Sequence, residues 1–145
     1  MRLVLDSNEY IGAYGEDLEP RPARLLEYLV AHPRLHAVVV SRTIIEEVRR
    51  NLSEDRYKQF WIFLALFDAE IVEDWEIPHS LPSKYQAMGL KTGDASIASC
   101  GEALRADVVI TENRDFHGRT GLPFRSLRAE EFLKEQGTSG QSAGG

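Results

Sequence analysis

The sequence predicts an α/β domain of three layers, α/β/α, around a central, mostly parallel sheet of five strands. Short β-branched runs alternate with amphipathic stretches along the chain, the pattern of strand–helix units. The runs are apolar throughout rather than alternating, as in strands covered on both faces. A third observation bears on function: Asp6, Glu47, Asp94 and Asp115 fall where strands end or where the following helices begin.

Taken in order, Arg2 to Leu5 reads as a buried strand, and Asn8 to Tyr14 as a short helix ending at Gly15. Pro20 and Pro22 open a helix whose apolar stripe is Leu25, Leu26, Leu29 and Val30, and Pro33 closes it. His36 to Val40 is a second strand. Ser41 caps a helix carrying Ile44, Ile45, Val48 and Leu52, and Ser53 caps the next, with Glu54 and Asp55 at its positive end. In that helix Phe60, Phe63, Leu64 and Phe67 share a face, and Trp61 is turned about 100° away, toward a partner. Glu70 to Val72 is a short strand. Pro78 and Pro82 mark a loop before Lys84 to Met88, where Gly89 ends the turn. Thr92 to Leu104 reads as a helix, Asp107 to Thr111 as a strand and Gly118 to Pro123 as a loop. Phe124 to Leu127 is the last strand and Ala129 to Glu135 the last helix. The domain is expected over residues 1–136, and residues 137–145, with nothing to bury, as a disordered tail.

The 145 residues fit one domain, and a 43% hydrophobic share supports one core. The start turns acidic too soon for a signal peptide, and no apolar run approaches the roughly 20 residues that span a bilayer. A single cysteine, Cys100, excludes an internal disulfide and fits a cytoplasmic protein. A net charge of −6 argues against gripping nucleic acid by bulk attraction, unless the acids surround a cation. Gly-rich phosphate loops, zinc spacings among the four histidines and a G-x-S-x-G elbow are all missing.

Each acid has an ordinary reading. Asp6 suits a helix N-cap, Asp94 the first turn of a helix, and Asp115 a turn; Glu46 and Glu47 stand at ion-pair spacing from Arg49 and Arg50. Together they say more, because in a parallel sheet the outgoing strand ends share one rim. Like charges there repel unless a cation compensates, and oxygen ligands without histidine or thiolate suit Mg²⁺ or Mn²⁺.

Asp6-Ser7-Asn8 resembles the D-[TS]-N opening of PIN domains. Val39 to Val48, with Glu46 and Glu47, resembles their strand-to-helix segment, Gly93-Asp94-Ala95-Ser96-Ile97-Ala98 their D-A-x-I-A helix, and Val109 to Phe116 their T-x-[ND]-x-D-F closing motif. The pieces occur in the family's order from Leu3 to Phe116. The resemblance implies a metal-binding and catalytic quartet of Asp6, Glu47, Asp94 and Asp115, with Ser7, Asn8, Thr111 and Asn113 in support. Spacing from Ser41 favours Glu47 over Glu46, and the choice stays open. It further implies a Mg²⁺- or Mn²⁺-dependent endoribonuclease, with one or two ions, acting on RNA. Toxin-type (VapC-type) members add an antitoxin partner and a homodimer. Arg42, Lys91, Arg114 and Arg119 are candidates to hold the substrate backbone. Two other readings compete: a catalytically inactive PIN-like module that binds RNA or protein, and a phosphatase using Asp6 as nucleophile. The second wants another aspartate where Asn8 stands.

Overall fold

The computed structural model describes the backbone of residues 1–144 and the side chains of residues 1–137. Its elements are β1 (Arg2–Leu5), α1 (Ser7–Tyr14), α2 (Pro20–Ala31), β2 (Ala37–Ser41), α3 (Arg42–Asn51), α4 (Glu54–Leu66) and β3 (Glu70–Val72), followed by α5 (Ser80–Ala87), α6 (Thr92–Ala103), β4 (Val108–Ile110), β5 (Arg125–Leu127) and α7 (Ala129–Gly144). A 3₁₀ turn, Asp74–Glu76, stands between β3 and α5. The tail expected over 137–145 falls on residues whose side chains, beyond Gly137, lie outside the described ones.

All five strands run parallel in the order β3-β2-β1-β4-β5. Every residue of β4, and Leu3 to Leu5 of β1, is buried, as strands with helices on both faces must be. Leu5 lies beside Ile110 in register, so β1 and β4 end together. The chain fills the sheet from β1 outward through β2 and β3, then crosses to the other side of β1 for β4 and β5. That reversal makes the gap between the ends of β1 and β4 the sheet's switch point, where ligands of open α/β sheets bind.

Local chemistry sets the helices around this rim. The Ser41 hydroxyl accepts the Ile44 N–H at 3.2 Å and starts α3 immediately after β2, while Ser53 does the same for α4. Ile44, Ile45 and Val48 of α3 and Phe60, Phe63 and Leu64 of α4 enter the core, where Tyr10 of α1 meets the Phe60 ring edge-on at 4.9 Å. Helix α6 lies close on β4 because Gly101 has no side chain. A Cβ there would stand 2.8 Å from Val109 and 2.9 Å from the Phe124 ring.

Two expectations change. Val30 is exposed, because Leu25, Leu26 and Leu29 complete the buried stripe of α2. Pro82 lies within α5 rather than in a loop; it occupies the first turn, where the missing N–H has no helical partner to lose. Trp61 is half-buried against Tyr57 and Phe60, and the outward apolar positions of α4 are Ile62 and Leu66.

Candidate functional site

The rim at the switch point carries the acids. Asp6 follows β1 directly, and its backbone N–H donates to the Ile110 carbonyl at 2.9 Å, which locks its position to the end of β4. It precedes α1 as an N-cap in extended conformation, but its side chain caps nothing. Instead Oδ2 accepts the Thr111 hydroxyl at 2.8 Å, and Oδ1 lies 3.3 Å from the Ser7 hydroxyl. Ser7 also reaches Glu47 Oε2 at 2.5 Å. A hydroxyl has one proton to give, so Ser7 serves Glu47 and leaves Asp6 Oδ1 with spare lone pairs. Glu46, by contrast, faces outward and pairs with Arg49 at 3.8 Å.

Asn113 joins the other two acids. Its Nδ2 donates to Asp94 Oδ1 at 2.7 Å, its Oδ1 accepts the Asp115 N–H at 2.9 Å, and its own N–H donates to the Thr111 hydroxyl at 3.2 Å. Hydrogen bonds therefore run from Asp6 through Thr111 and Asn113 to Asp94 and the backbone of Asp115, and Ser7, next to Asp6 in the chain, ties Glu47 to the same place. Asp94 is buried in the first turn of α6, and Asp115 is exposed. Asn8 lines a neighbouring cleft of about 730 Å³.

Burial is the main cause that raises the Asp6 pKa, and the Glu47 charge adds to it against the hydrogen bonds from Thr111 and Ser7. A cation would offset that cost. Carboxylates with hydroxyl and amide neighbours are a donor set for a hard divalent ion. Among the described residues, no three acidic, histidine or cysteine side chains gather closely enough to hold an ion by themselves. A Mg²⁺ site of one or two carboxylates completed by water remains compatible with this arrangement.

Of the proposed substrate cations, Arg42 is committed to Glu73 through both carboxylate oxygens at 3.2 and 2.7 Å. Arg119 is committed to two backbone carbonyls. The side chains of Lys91 and Arg114 have no hydrogen bond or ion pair among the described residues, and Arg114 lines the cleft beside Glu112 and Arg128.

Sequence reasoning missed Glu9. Three residues after Asp6 it has the spacing of a capping box, yet it is fully buried and its oxygens find no N–H or O–H donor. Its neighbour is Glu112, another carboxyl whose Oε2 accepts the Ala129 N–H at 3.0 Å. Burial, then the Glu112 and Asp6 charges, push the Glu9 pKa up to about 9, so it stays neutral at pH 7 and can donate only to Glu112. His117 was also missed: its Nε2 lies 2.9 Å from the Thr111 carbonyl and supports the loop after β4. Glu9 leaves only the capping-box spacing, which points to a different role, and His117 leaves no periodicity or motif.

The PIN domain family model matches residues 3–121. None of the curated proteins compared matches the chain. Among solved structures it is similar to VapBC2 from Rickettsia felis, crystallised bound to a DNA fragment from its promoter, at TM-score 0.62 and 18% identity. That likeness covers 88% of this chain and 98% of the other. FitAcB from Neisseria gonorrhoeae is similar at TM-score 0.60 and 16% identity, with the same shares of each chain covered. These two are likenesses of fold. With the family match covering most of its length, from β1 past the Asp115 turn, the chain belongs to the PIN domain family.

Proposed function

We propose that this PIN domain is a metal-dependent endoribonuclease that hydrolyses RNA phosphodiester bonds at the switch-point rim, using Asp6, Glu47, Asp94 and Asp115. The observation that carries the reading is the set of hydrogen bonds that Ser7, Thr111 and Asn113 give to Glu47, Asp6 and Asp94. Thr111 takes one oxygen of Asp6 and Asn113 one oxygen of Asp94, and Ser7, next to Asp6 in the chain, holds Glu47. A bound Mg²⁺ or Mn²⁺ would lower the pKa of a coordinated water and neutralise charge developing on the phosphate. The chain's own share is to hold the acceptors in place through the hydrogen bonds of Ser7, Thr111 and Asn113. Lys91 and Arg114, uncommitted elsewhere, hold the RNA backbone. As in the toxin-type PIN domains it resembles, the chain acts as the toxin of a toxin–antitoxin pair in the cytoplasm and forms a homodimer.

Crystals soaked in Mn²⁺ test the site. The reading expects an ion touching Asp6 and Asp94 or Asp115, and an ion found only elsewhere contradicts it. A second reading, an inactive PIN-like module that docks RNA or protein, is favoured by the separation of the carboxylates. It expects RNA retention without cleavage and indifference to the ion.

A further inference from the structure

We propose that Arg119 is a positioning residue of the acidic centre, whose guanidinium clamps the loop before α6 to the turn that carries Asp115. This rests on the metal reading above. Nε of Arg119 donates to the Asp115 carbonyl at 2.7 Å, and the same guanidinium donates through Nη1 to the Met88 carbonyl at 2.8 Å.

Both ends of this bridge lead to an acid. On one side, Met88 ends α5, and the following Leu90 is buried with its N–H on the Tyr85 carbonyl at 3.1 Å. Lys91 then accepts the Ala95 N–H at 2.8 Å and sets the first turn of α6, where Asp94 sits. Gly89 runs under the guanidinium at φ +97°, a left-handed conformation that suits glycine; a Cβ there would stand 3.7 Å from Nη1. On the other side is Asp115 itself. Its side chain is exposed and has no hydrogen bond or ion pair among the described residues, so its backbone alone fixes where the carboxylate stands. The Asp115 N–H is held by Asn113 and its carbonyl by Arg119. Two ties thus join the Asp94 and Asp115 segments, one through the Asn113 side chain and one through Arg119. Because the guanidinium is a flat fork, it can give its protons to two carbonyls at once, which an ammonium on a flexible stem does not reproduce. Arg119 therefore acts on the centre through Asp115 rather than by touching RNA.

The test is Mn²⁺ affinity, read from the electron paramagnetic resonance of free Mn²⁺, with thermal unfolding recorded on each protein. The proteins are wild type, Arg119→Ala, Arg119→Lys, Asp115→Asn and the Arg119→Ala/Asp115→Asn double variant. Arg119→Ala should weaken binding about 10–100-fold, the usual effect of losing a group that orients a ligand. Arg119→Lys should recover part of that loss, and in the Asp115→Asn background Arg119→Ala should add nothing. Wild-type affinity in Arg119→Ala, or the same loss with and without the Asp115 carboxylate, overturns the proposal. If Arg119→Ala does not fold, Arg119→Lys carries the test, and unchanged affinity in it overturns the proposal. A wild-type protein that binds no Mn²⁺ overturns the metal reading and this proposal with it; one that binds while the variants match it overturns this proposal alone.

Discussion

The Thr111 hydroxyl donates to Asp6 Oδ2 across 2.8 Å, joining residues 105 positions apart in sequence. The bond is short because β1 and β4 are neighbours that end in register, so both residues leave the sheet side by side. It orients Asp6 and leaves its other oxygen toward Ser7 and Glu47.

Asp6→Asn should separate function from stability. The Asp6 pKa is raised in the folded state, so the stability this group contributes is present below its unfolded value near 3.8 and is lost as pH rises. Ionising this largely buried carboxylate is therefore a cost that the amide removes. Thermal unfolding of the apo protein should show an unchanged or higher Tm, by about 2–4 °C for each kcal/mol recovered. Mn²⁺ binding should fall by more than the about 10–100-fold typical of an orienting partner. A clearly lower Tm would mean that Asp6 is a structural cap.

The two glutamates of α3 give the second contrast. Glu47 meets Ser7 at the rim, whereas Glu46 lies at the surface with Arg49. Glu47→Gln should reduce the RNA cleavage rate strongly. Glu46→Gln should leave it within error and change stability by no more than the roughly 0–1 kcal/mol of an exposed ion pair. Equal losses would remove Glu47 from the site.

Much of this fold could be read from the chain because its signals are local. Leu3-Val4-Leu5 and Val38-Val39-Val40 are too apolar for anything but covered strands, and Ser41 and Ser53 cap the helices that follow. Pro82 misled because a proline in a first turn looks like a loop until the turn is seen. The outward apolar positions of α4, Ile62 and Leu66, were not read because a helical wheel gives relative angles without saying how the helix is rolled onto the sheet. At the rim, the order of motifs indicated which acids to group. The partners that connect them, Thr111 to Asp6 and Asn113 to Asp94, depend on strand register and loop path, which no short pattern encodes. Glu9 was invisible for the same reason: a buried acid facing Glu112 looks like a first-turn glutamate until the helix is placed.

Glu9→Gln supplies a pH test. With a folded pKa of about 9 against 4.5 unfolded, Glu9 contributes stability that is full below pH 4.5 and is lost as pH rises through about 9. Glutamine imitates the protonated form at every pH. Denaturant melts between pH 5 and 9 should show wild type losing stability relative to Glu9→Gln as pH rises. Parallel curves would mean that Glu9 is ionised in the native protein.

Gly101→Ala probes the seat of α6. The added methyl would stand 2.8 Å from Val109 Cγ2 and 2.9 Å from Phe124, inside packed apolar neighbours. Overpacking of this kind costs about 1–3 kcal/mol, measurable by urea unfolding, although alanine is the better helix former. A gain in stability would show that α6 can move off β4 freely.

RNA cleavage by the purified chain, freed of any bound partner, tests the central claim most directly. The account predicts cleavage with Mg²⁺ or Mn²⁺, its loss on chelation, its return when the ion is restored, and its absence in Asp94→Asn with the fold retained. No cleavage with either ion, or cleavage that persists under chelation or in Asp94→Asn, would contradict it.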